Sequence, residues 1–163
     1  MDETEVSGAD EQRSLVVELA QLVIEQAAPE ELVLFQETST EYFADPDGVV
    51  DPRRRDEPLG FGLDLAMVTP YVLAMVTSCL AFLARSVAET AASEAAKPAI
   101  GDLLKRFLRP RHPGPDAEVS ALTRDQAESV RQVALGRAKD LGLSEQQSRL
   151  LADAVLGGLN VAR

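Results

Sequence analysis

Residues 65–84, Leu-Ala-Met-Val-Thr-Pro-Tyr-Val-Leu-Ala-Met-Val-Thr-Ser-Cys-Leu-Ala-Phe-Leu-Ala, form a run of 20 residues without a charge, bounded by Asp64 and Arg85. As a helix this run rises about 30 Å, the thickness of a bilayer core. A helix that is apolar on every side has two stable settings: a membrane, or the centre of a bundle whose other helices cover it. Thr69, Thr77 and Ser78 suit both, because their hydroxyls bond back to their own helix. Pro70 suits both as a helix start or a kink. If it divides the run, Tyr71 to Ala84 leaves about 14 uncharged residues, a length typical of buried core helices. Flanking charge sets no orientation, since Arg53–Arg55 lie upstream and Arg85, Lys97 and Lys105 downstream. The residues expected to insert or to build the core are Leu65, Val68, Val72, Leu73, Val76, Leu80, Phe82 and Leu83.

Charge divides the chain into three. Positions 1–60 carry 16 acidic and 4 basic residues, positions 61–115 carry 4 and 6, and positions 116–163 carry 7 and 6. The net charge of −11 therefore resides almost wholly in the first third. Such a chain repels phosphate backbones, so nucleic acid is not an expected partner. One Cys and one His exclude an internal disulfide and the usual four-ligand zinc site. The first residues are polar and acidic, without the basic and apolar regions of a cleavable signal. Residence on the cytoplasmic side, possible membrane association included, is the expectation. Residues 1–13 read as an acidic disordered tail.

The periodicity predicts helices throughout. Ser14 is an N-cap candidate for a helix over 15–27, with Leu15, Val16, Leu19, Leu22 and Val23 on one face. Pro29, Glu30 and Glu31 suit a helix start, and Leu32, Phe35, Ser39, Tyr42 and Phe43 define the face of a second helix over 30–44. Residues 45–60, with three Pro and two Gly, read as a linker. Asp45, Asp47 and Asp51 lack the spacing and the terminal Glu of a calcium loop, so no metal is expected. The apolar helix extends to about 96. A short basic amphipathic helix follows within 61–109, carrying Ile100, Leu103, Leu104, Phe107 and Leu108 opposite Lys105, Arg106 and Arg109. Residues 110–120 are a Pro-rich linker, and His112 within it has no identifiable catalytic partner.

Residues 121–163 read as an αα-hairpin. Thr123 with Gln126, and Ser144 with Gln147, are capping-box pairs, and Gly142 closes the first helix. The stripes run through Ala127, Val130, Ala134, Ala138 and Leu141, and through Leu150, Leu151, Ala154, Val155 and Leu159. Gly157-Gly158 looks like a terminator. Such a hairpin must pack on the rest of the chain or on a partner. Val130, Ala134, Leu150, Leu151 and Val155 are its candidate interaction residues.

The expected fold is all-α, with five or six helices, a long apolar central helix and a C-terminal hairpin. No nucleotide-binding, zinc-protease or nucleophile motif is present, so neither an enzyme nor a cofactor is expected. Two functional readings follow. In the first, a non-enzymatic membrane-associated protein (an anchor, adaptor or oligomerising effector) inserts 65–84. In the second, a soluble helical bundle buries 65–84 as its core helix, oligomerises and binds a protein partner.

Overall fold

A computed structural model describes residues 3–51, 67–91 and 122–161, and among them the chain is all-helical without a strand. The first helix, α1, spans Glu3–Ala27 and so begins well before Ser14. The expected tail over 1–13 is therefore helical from residue 3. Glutamate, the residue at positions 3 and 5, is a type favoured in a first helical turn, near the positive end of the dipole. Ser14 does not cap; its hydroxyl donates to the Asp10 carbonyl at 3.0 Å, inside the helix. Leu15, Val16, Leu19, Ala20, Val23 and Ile24 form the buried face.

The expected single helix over 30–44 is split. Pro29–Val33 form a 3-10 turn, and α2 spans Phe35–Ala44. The Leu34 N–H donates to the Glu31 carbonyl at 3.0 Å, a tight i→i+3 closure between the two. Phe35, Thr38, Ser39 and Tyr42 are the buried side of α2. The expected linker opens with a helical turn, α3, over Pro46–Val50. Asp45 caps it by accepting from the Gly48 N–H at 3.0 Å, and Pro46 supplies a preset φ at its start. The remainder of that linker, Leu65, the basic helix near 100–109 and the linker at 110–120 lie outside the described residues.

Helix α4 spans Thr69–Ala91. Pro70 starts it and does not kink it. Thr77 and Ser78 donate to the carbonyls of Leu73 (2.7 Å) and Ala74 (3.0 Å), as their place in an apolar helix requires. Helices α5, Arg124–Asp140, and α6, Glu145–Val161, form the hairpin. Both capping boxes are closed: Thr123 with Gln126 (3.0 and 3.2 Å) and Ser144 with Gln147 (2.8 and 3.2 Å). Gly142, at φ +78°, ends α5. Its N–H bonds to the Lys139 carbonyl, and that of Leu143 to the Ala138 carbonyl, the double closure of a Schellman turn. Across the hairpin Arg131 pairs with Asp153 at 2.9 Å.

Helix α4 is the hub, packed against α1, α2, α3, α5 and α6, while α1 and α5 each also lie against α6. Tyr71 to Val76 are all buried, so for more than a full turn α4 has no solvent face. Gly157-Gly158 does not terminate α6, which continues to Val161. A Cβ on Gly158 would stand 2.8 Å from Val23 Cγ2, so this glycine sets the close approach of α6 to α1.

Candidate functional site

The described residues singled out in the apolar run belong to the core. Val68, Val72, Leu73, Val76, Leu80 and Leu83 are buried, and Phe82 is half-buried against them. Val130, Ala134, Leu151 and Val155 of the hairpin join the same core. The hairpin therefore spends its apolar faces inside the chain. Leu150 departs from its expected place, being 54% exposed. Two consecutive leucines on a helix point about 100° apart, and Leu151, in phase with Ser148, Ala152, Val155 and Leu159, takes the inward position. Cys79 sits where α4 meets α5, its thiol 3.8 Å from the Val130 carbonyl. Burial pushes that thiol up to about 12. It is held as the neutral form, unsuited to nucleophilic chemistry.

The start of α4 is capped from elsewhere in the chain. Val68 and Thr69 are 2% and 1% exposed, so their N–H groups cannot turn to water. Both donate to the Glu31 carboxylate, at 2.6 and 2.8 Å, and the Thr69 hydroxyl donates to it at 2.6 Å. Pro70 has no N–H to satisfy. The 3-10 turn thus places one carboxylate over a buried helix start that has few donors left. Glu31 reads in the sequence as an acid serving its own helix start; the upstream acceptor that a buried Pro-started helix needs was the signal for this second role.

At the surface, an open groove of about 400 Å³ lies between α1 and α2. Arg13 and Val17 line it from α1, and Gln36, Ser39, Thr40, Phe43 and Ala44 from α2. The α2 positions follow helical spacing, so they form one face. The Arg13 guanidinium stands 4.7 Å over the Phe43 ring, which meets Tyr42 edge-on at 5.3 Å. The Thr40 hydroxyl donates to the Gln36 carbonyl at 2.8 Å. Ser39 forms part of the floor, and its buried hydroxyl has no hydrogen-bond partner among the described residues. Behind the groove the Tyr42 phenol is pushed upward by burial, against the opposing effects of a hydrogen bond with Thr77 and the charge of Arg137. Val33 and Leu34, 88% and 51% exposed, lie just before α2. Sequence reasoning missed this groove, although Arg13, the one base before residue 53, was its visible mark.

Among the described residues, no group of three or more His, Cys, Asp or Glu side chains is arranged to hold a metal ion. The stretch Thr69–Ser86 is long and apolar enough to cross a membrane by length and composition, and 67% of it is buried inside the fold. No protein-family model, curated protein or solved structure matches the chain.

Proposed function

We propose that this chain is a non-enzymatic helical interaction module, with the 65–84 segment serving as core and the α1–α2 surface meeting a protein partner. The carrying observation is the setting of α4. Five helices pack on it, and Glu31 anchors its first turn from a distant part of the sequence. Inserting α4 into a bilayer would separate it from these neighbours and leave the Glu31 carboxylate and the N–H groups of Val68 and Thr69 without one another. Each such buried polar group costs about 1–3 kcal/mol when unpaired. The buried thiol is likewise set for packing and not for chemistry. The groove between α1 and α2, lined in part by Val17, Phe43 and Ala44, is offered to a binding partner.

Aspartate at Val76 or Leu80, both 0% exposed, tests the reading. An unpaired charge at a core position costs several kcal/mol, enough to unfold a domain whose whole stability is about 5–15 kcal/mol. Circular dichroism should report loss of most helix in both variants. Variants that keep cooperative helical melting while losing an association with membranes would instead establish α4 as an inserted span.

A further inference from the structure

We infer that the α1–α2 groove docks a cationic amphipathic helix from a partner protein, an inference that rests on the interaction reading above and names the partner's chemistry. Shape is the first ground. Val17, Phe43 and Ala44 give the groove an apolar lining flanked by two helices, the setting in which an amphipathic helix lays its i, i+3 and i+7 side chains.

Charge is the second ground. Residues 3–51 contain thirteen acids and one base. Asp10 precedes Arg13 and Val17 by three and seven residues and so lies on their side of α1, while on α2 Glu37 precedes Thr40 and Ala44 by three and seven and Glu41 precedes Ala44 by three. All three carboxylates are exposed. A partly apolar groove flanked by exposed acids attracts Lys- or Arg-bearing helices, and the same field opposes anionic lipid and nucleic acid. The third ground is Arg13 itself. Its guanidinium over Phe43 demonstrates that the face of this ring accepts a cation. A partner's Lys or Arg can take that place, with Arg13 acting as the internal competitor.

This assignment sets the sign of each effect. Fluorescence anisotropy would follow a labelled synthetic helix with Lys on one face and Leu and Phe on the other. The wild-type chain should bind it in the micromolar range, and a scrambled peptide of equal composition about tenfold more weakly. Thr40→Arg, at an exposed groove position, should weaken binding about tenfold by blocking the groove and adding a like charge. Arg13→Ala should strengthen it about threefold by vacating the ring and removing a repulsion. Circular dichroism would establish that both variants fold. Absence of binding by the wild type, equal binding of the scrambled peptide, or indifference to Thr40→Arg overturns the inference. So does preference for a Glu-for-Lys peptide or for phosphatidylserine vesicles that disappears in Arg13→Ala, which would make the groove an anion-reading surface. Any of these results with Val76→Asp still unfolding the chain removes the groove's partner and leaves the bundle reading intact; failure of the Val76→Asp test removes the reading itself.

Discussion

Replacing Glu31 by Ala should cost far more than its place in a half-exposed turn suggests. The carboxylate accepts three hydrogen bonds at the start of α4, from the N–H groups of Val68 and Thr69 and from the Thr69 hydroxyl. The hydroxyl can rotate to another acceptor, so it contributes least. The two N–H groups are fixed by the helix, and their residues are almost fully buried. An unsatisfied buried donor costs about 1–3 kcal/mol, and loss of an ordinary N-cap about 0.5–2 kcal/mol. Glu31 is itself only half-buried, so water entering the truncated site recovers part of this. The net expectation is about 3 kcal/mol for Glu31→Ala. Glu31→Gln retains one accepting oxygen but aims an NH2 group at the other donor, and should cost about half as much. Urea denaturation followed by circular dichroism measures both; the midpoint should fall without a change in slope. Glu30→Ala is the control: its side chain is exposed in the same turn, and it should stay within about 0.5 kcal/mol of wild type. A loss below about 1 kcal/mol for Glu31→Ala would mean that α4 does not depend on this carboxylate.

Further predictions concern glycines and the thiol. Gly136 has nothing within 4 Å of a Cβ position, so Gly136→Ala should stabilise α5 by about 0.5–1 kcal/mol through helix propensity, whereas Gly158→Val should destabilise by about 1–3 kcal/mol because Val23 and Leu19 occupy the space; thermal melts of the two variants should shift in opposite directions. Cys79 should resist water-soluble thiol reagents at pH 8 until urea unfolds the chain, and rapid labelling of the native protein would contradict its burial. The same thiol confers an alkaline dependence. The unfolded chain loses this proton above about pH 8.5, while the folded chain holds it up to about 12. The associated stability is complete below the unfolded value and declines above it, by on the order of 2 kcal/mol at pH 10. Tyr42, also shifted upward by burial, adds in the same direction at still higher pH. Cys79→Ala should flatten the decline between pH 8 and 10, as read from urea midpoints across that range.

Local signals in the sequence carried much of this fold, and tertiary ones did not. The hairpin was legible because its determinants lie within a few residues: Thr123 with Gln126, Ser144 with Gln147, and Gly142 at a positive φ. The apolar run announced a helix without a solvent face, which α4 is over Tyr71 to Val76, but its neighbours could not be read from the run itself. The first turns of α1 were hidden by their acidity, since the same residues that solvate a tail also suit a helix N-terminus. The break at Leu34 was hidden because its purpose is to bring Glu31 to Val68, 37 positions away. The groove depends on the placement of two helices whose separate amphipathic patterns look ordinary, and the pairing of Arg13 with Phe43 shows where they face one another.

Whether α4 is a core helix or a membrane span is decided by fractionation of the wild-type chain expressed without detergent. A core helix places the chain in the soluble fraction, where it should melt cooperatively as a helical species. Retention in the membrane pellet through an alkaline carbonate wash, with release only by detergent, would contradict it and establish the 65–84 segment as an inserted span.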